Sequence, residues 1–74
     1  VKLRVSSSML PYFQSLPIHA SQVIERDIVT LYLIINPELE NRIMSYGEYV
    51  EVLSPLSLRE SVKERIRKML SNYK

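Results

Sequence analysis

The sequence predicts an α+β domain, a four-stranded antiparallel sheet backed by helices, with one further helix at the C-terminal end. Three observations point there. Apolar and polar residues alternate in "VKLRV" and "YVEVL", the two-residue period of a half-buried strand. After Pro37 and after Pro55 the apolar residues recur every three or four positions, as on one face of a helix. No repeat, low-complexity tract or linker divides the chain, so one unit is expected.

In "VKLRV", Val1, Leu3 and Val5 turn one way while Lys2 and Arg4 turn the other. "SSSMLPYFQSLP" opens with side chains that cap helices and places Pro11 where a first turn tolerates it. A short helix over about Met9 to Ser15 follows, ended by Pro17. "ASQVIERD" and "IVTLYLIIN" read as two strands joined near Arg26-Asp27, the second with the look of a central strand covered on both faces. Asn36-Pro37-Glu38 is a helix start: a capping side chain, a proline in the first turn, an acid at the positive dipole end. Gly47 ends that helix, because reversing direction there needs a left-handed residue and glycine adopts it without a steric penalty. "YVEVL" is the fourth strand. Ser54-Pro55 restarts a helix, with Ser57-Leu58-Arg59-Glu60 offering a capping box. In that last helix Leu58, Val62, Ile66, Met69 and Tyr73 form one stripe with Leu70 at its edge, and Glu64 can pair with Lys68. The first six elements spell βαββαβ, the ferredoxin-like order, in which right-handed crossovers bring the first and third strands together at the centre of the sheet. The second face of that sheet is left open, or is covered by the last helix or a partner.

Composition bounds the function. A 74-residue chain buries only about 60% of its unfolded surface, and without cysteine it has neither disulfide nor thiolate metal site to reinforce it. Oligomerisation or packing against neighbouring domains is the expected support. The chain starts at Val1 with no initiator methionine or signal-peptide pattern, so it is expected to be a domain excised from a longer protein whose missing part lies N-terminal. No apolar run approaches the roughly 20 residues that cross a bilayer, and a reducing, cytoplasmic setting is expected. The net charge of +2 is uneven: from Ser57 on, Arg59, Lys63, Arg65, Arg67, Lys68 and Lys74 face only Glu60 and Glu64. That asymmetry suits either an anionic partner or a solvated helix face.

Catalysis finds no support. Histidine occurs once, the carboxylates are scattered without a paired geometry, and a single glycine cannot build a phosphate loop. No cofactor is expected, and no metal, since a lone histidine lacks the partner ligands that zinc requires.

"IMSYGEYVEVLSPLSLRESVKERIRKMLSNYK" resembles the closing segment of bacterial WYL-domain transcriptional regulators, which carry a "GxxVEVLxPxxLR" stretch and an amphipathic helix finishing at a tyrosine. Gly47, Val50, Glu51, Val52, Leu53, Pro55, Leu58, Arg59 and Tyr73 stand at the matching places. "LPIHASQ", Leu16 to Gln22, resembles the "HxSQ" stretch before the second strand of the same module, the WYL C-terminal extension or WCX domain. The resemblance spans Val1 to Lys74 and implies the ferredoxin-like fold already read from the element order. It also implies a place behind a WYL domain and a helix-turn-helix domain of the same chain, neither of which is in this sequence. Such regulators are expected to sense a ligand, often a nucleic-acid-like anion, to form homodimers and to bind DNA through the N-terminal domain.

Six residues are candidate contacts. Lys2, Arg4, His19, Gln22 and Arg59 are placed against an anionic effector or a neighbouring domain. Tyr32 is a possible contact on the open sheet face, where Lys2 and Arg4 are expected beside Thr30, Tyr32 and Ile34. Basic and aromatic groups on adjacent central strands are how ferredoxin-like RNA-binding domains stack bases. The bland alternatives are that Ser21 and Gln22 satisfy backbone groups at a strand start, and that the sheet face is an interface. Tyr12, Phe13, Tyr46 and Tyr49 are assigned to core or interface. The expected function is thus a non-catalytic, ligand-sensing and dimerising regulatory module. A stand-alone nucleic-acid-binding module using the sheet face and a purely structural dimerisation domain are the alternatives.

Overall fold

The computed structural model describes residues 1–73. Lys74, counted above among the basic residues, lies outside them. The elements are β1 (Lys2–Val5), α1 (Leu10–Ser15), β2 (Val23–Glu25), β3 (Ile28–Thr30), α2 (Pro37–Ser45), a 3-10 turn (Gly47–Tyr49), β4 (Val50–Ser54) and α3 (Leu56–Ser71). The sheet order is β2-β3-β1-β4 with every neighbouring pair antiparallel, so the first and third strands are central as the crossovers require. The βαββαβ reading and the extra helix both hold.

Register sorts the side chains into two faces. Ile24, Val29, Leu3 and Val52 line up across the four strands, and Val5 stands opposite Val50. These residues face the helices. Their core cluster is completed by Leu31, Phe13 of α1, Leu39 and Ile43 of α2, and Leu58 and Val62 of α3. No polar or charged side chain is buried among them. All three helices therefore cover the same side, and α3 extends that cover along β4 and does not cross to the second face. Between Lys2 and Leu3 the register with β4 shifts by one residue, a bulge that leaves Leu53 out of the ladder.

Local chemistry explains most boundaries. Asn36 caps α2 through Oδ1, which accepts from Leu39 N–H at 2.8 Å, with Pro37 at the first helical position. Gly47 follows the cap residue Tyr46 with φ +62°, the left-handed conformation expected of it. Arg26 opens the two-residue turn between β2 and β3 at φ +57°, a conformation that disfavours a side chain bearing Cβ.

Several expectations are corrected. The serines before α1 do not cap it by their hydroxyls: the N–H groups of Met9 and Leu10 both turn to the Ser6 carbonyl. Ser57 cannot be the cap of α3, because the helix starts at Leu56 after Pro55 and already includes it. Glu64 pairs with Arg67 and not with Lys68, since the guanidinium offers two donors to both carboxylate oxygens. The stripe on α3 is buried at Leu58 and Val62 but exposed from Ile66 onward, where the helix runs past the sheet.

The third strand is the largest departure. "IVTLYLIIN" reads as a long strand with both faces covered, yet the ladder ends near Leu31 and the chain bends at Leu33. Ile34 is 87% exposed and Tyr32 72%. β-branched and aromatic composition signals a fit to a pleated surface, but it cannot supply the neighbouring strand.

Candidate functional site

The open face of the sheet carries the polar rows. Val23, Thr30, Lys2 and Ser54 align in one row, and Glu25, Ile28, Arg4 and Glu51 in the next. Antiparallel pairing thus seats Lys2 beside Thr30 but Arg4 beside Ile28, away from Tyr32 and Ile34. Lys2, Arg4 and Tyr32 nevertheless border one shallow hollow of about 720 Å³, together with Glu25, Arg26, Asp27, Ile28 and Thr30.

Charge on this face is closely balanced. Arg4 lies between two carboxylates, with Nε 3.8 Å from Asp27 Oδ2 and Nη1 3.5 Å from Glu51 Oε1. The other oxygen of Glu51 accepts from Arg59 Nη1 at 2.9 Å, and the same nitrogen donates to the Val52 carbonyl at 2.8 Å. Arg59 thereby reaches from α3 over the free edge of β4 and occupies a main-chain acceptor there. The Arg59 hydrogen bond, with the charges of Arg59 and Arg4, holds the Glu51 carboxyl below the usual carboxylate range. Each of these ion pairs is solvent-exposed and screened by water, so their effect is on the field more than on stability. Among the described residues, only Lys2 and Arg26 on this face lack a carboxylate partner.

The His19 loop is a lock between elements. Ser21 N–H donates to His19 Nδ1 at 3.1 Å, which makes that nitrogen an acceptor and assigns the ring proton to Nε2. The Ser21 hydroxyl, 2.8 Å from the same nitrogen, then donates to it while accepting from Tyr32 N–H at 2.9 Å. Gln22 accepts from Ile18 N–H at 3.0 Å and donates to the Phe13 carbonyl at 3.0 Å, an acceptor left free at the end of α1. Ser21 and Gln22 therefore satisfy backbone groups, the plainer of the two readings, and Gln22 is committed to them through both ends of its amide.

The six candidate residues thus fall into four places. Lys2, Arg4 and Tyr32 share the hollow, Arg59 is joined to it through Glu51, and His19 is joined to Tyr32 through the Ser21 hydroxyl. Gln22 faces α1. Sequence reasoning missed Asp27 and Glu51 as the partners that neutralise Arg4, although the turn at Arg26-Asp27 and the "VEV" strand contained the signal. It also missed Glu40, which accepts from Ser61 Oγ at 2.9 Å and pairs with Arg65 at 3.4 Å, tying α2 to α3.

Tyr12, Phe13, Tyr46 and Tyr49 gather on the helical side. Phe13 is fully buried against the half-buried Tyr46, with ring centroids 4.9 Å apart, while Tyr12 meets Tyr46 edge-on and is half exposed, as is Tyr49. Among the described residues, no three His, Asp or Glu side chains gather closely enough to hold a metal ion. Among the described residues, no helix is long and apolar enough to cross a membrane.

Comparison with known proteins gives one match. The family model described as WCX domain matches residues 1–70. No curated protein and no solved structure matches the chain.

Proposed function

The chain belongs to the WCX domain family, which is associated with WYL regulators, and from that premise we propose that it is the regulatory module of a bacterial WYL-type transcription regulator. In this reading a WYL domain and a helix-turn-helix domain precede it in the same cytoplasmic chain. The module itself is non-catalytic. It helps to sense an anionic, nucleic-acid-like effector, contributes to homodimer assembly, and so biases a distant DNA-binding domain between states.

The observation that supports this most is the character of the open sheet face. A surface that binds the phosphate backbone by itself needs an excess of unpaired cations. Here Lys2, Arg4 and Arg26 stand among Glu25, Asp27 and Glu51, and one tyrosine replaces the several aromatics of a base-stacking platform. Exposed Tyr32 and Ile34 beside a neutralised ionic network suit packing against protein instead. Among the six candidate residues, effector contact falls to the groups still free to turn outward, the Lys2 ammonium and His19 Nε2. Arg4, Gln22 and Arg59 hold strand, loop and helix in place behind them.

The test is a titration of the purified domain with short single-stranded oligonucleotides at two salt concentrations. Affinity weaker than about 10 μM at both is expected, since few phosphates can be neutralised. Submicromolar, salt-dependent binding lost in Tyr32→Ala would replace this reading by a stand-alone nucleic-acid binder. In the longer regulator, Lys2→Ala and His19→Ala should weaken the response to effector and leave basal operator binding intact. A concentration-dependent dimer with no effector response at all would leave only a structural dimeriser.

A further inference from the structure

The ladder between β1 and β3 stops where its hydrogen bonding is still in step. Val1 and Leu31 exchange both main-chain bonds, Leu31 N–H to the Val1 carbonyl at 2.8 Å and Val1 N to the Leu31 carbonyl at 2.9 Å. Leu3 with Val29 is the preceding pair of this kind, and Val5 N–H reaches the Asp27 carbonyl at 2.8 Å. Odd-numbered residues of the third strand therefore point their N–H and C=O toward β1, and even-numbered ones point away. Tyr32 obeys the rule, sending its N–H to Ser21 on the opposite side.

Beyond Leu31 the sequence continues as Tyr32-Leu33-Ile34-Ile35, a run of strand-forming residues. Leu33 still packs against the core, while Ile34 is almost fully exposed. Among the described residues, the backbone groups of Leu33, Ile34 and Ile35 form no hydrogen bond. An apolar, strand-forming run with unpaired main-chain groups at the end of a ladder is a site for strand addition.

We infer that residues 32–35 pair with the segment joining this module to the WYL domain, which enters as a direct N-terminal continuation of β1. This rests on the reading that a WYL domain precedes the module. The register fixes the occupant. The vacant place beside Leu33 lies on the line of β1 itself, immediately ahead of Val1. A strand from another molecule would have to end head-on against the Val1 nitrogen, which already bonds to Leu31. A covalent continuation of β1 meets no such obstacle and needs no connecting loop. The residue before Val1 then stands opposite Tyr32 as a non-hydrogen-bonded pair, and the one before that exchanges bonds with Leu33. The linker is thus a stiff strand shared with the sheet, and it shields Ile34 and Tyr32 from water.

Two measurements on the chain extended through its WYL domain test this. The amides of Leu33 and Ile35 should exchange at least about 100-fold more slowly than unstructured ones, as in a formed ladder. Free exchange there, with Leu3 and Val29 protected, overturns the inference. A second test replaces any upstream cysteine by serine, residues 1–74 having none, and combines Tyr32→Cys with a cysteine at the position before Val1, since a directly opposed pair about 4.5–5.5 Å apart can form a disulfide. A crosslink within one chain is expected. One between chains, or none, refutes the inference. Effector response and operator binding report on the regulatory role separately and are not needed for either outcome.

Discussion

The two faces of the sheet follow different rules. Toward the helices, ten apolar side chains form a core with no polar side chain among them, and Leu3, Phe13 and Val29 are completely enclosed. On the open side, alternating charges, a threonine and exposed apolar residues share the same strands, one position out of phase. The strand period of two makes this division possible, since consecutive residues of β1 serve opposite purposes. The closed face carries the stability of the fold. The open face is left free to meet other molecules, and substitutions should divide accordingly.

The sharpest contrast comes from Phe13→Ala, which should destabilise by about 3–5 kcal/mol in a denaturant titration, against less than about 1 kcal/mol for Arg4→Ala. Comparable losses on both sides would mean the open face is structural after all. Gln22→Ala comes next, at about 1–2 kcal/mol, because it leaves Ile18 N–H and the Phe13 carbonyl without their partner. A loss that small would identify the amide as a clasp for the helix-covered side.

The two left-handed residues permit a finer comparison. Gly47→Ala places a Cβ where nothing lies within 4 Å, so its effect is purely conformational, about 1 kcal/mol, or roughly 4–8 °C in Tm for a domain of this size. Arg26→Gly should act in the opposite sense and stabilise by about 0.5–1 kcal/mol, since it relieves the same strain at the hairpin turn. The smallest effect belongs to Glu51. Its carboxyl titrates below the usual range when folded, so its contribution is complete above the ordinary carboxylate pKa and fades as pH falls through the depressed value. Wild type and Glu51→Gln should therefore differ slightly in Tm at neutral pH and converge as the pH falls through that depressed value.

Legibility in the sequence followed the same division. Alternation in "VKLRV" and "YVEVL", the Asn36-Pro37 start and the Gly47 stop are local signals, and each is found where it was read. Element order then sufficed for the central placement of β1 and β3. What failed depends on partners distant in the chain. The length of β3 is set by which residues lie beside it, and the exposure of Ile66 by how far the sheet extends beneath α3. Lys2, Arg4 and Tyr32 could be placed on one face from periodicity, but the neutralisation of Arg4 by Asp27 and Glu51 depends on cross-strand register, which single-sequence periodicity leaves undetermined.

The overhang of α3 carries a dynamic consequence. Its first turns are clamped by Leu58, Val62 and the Arg59 bond to β4, whereas Ile66, Met69, Leu70 and Tyr73 rest on little. From Val62 to Ser71 the axis advances about 13 Å, a cantilever fixed at one end. Short helices without tertiary support unwind readily in water, so this tip should fray on its own, ahead of any global unfolding. Whatever grips the tip would stiffen the whole rod and load the β4 margin at its root.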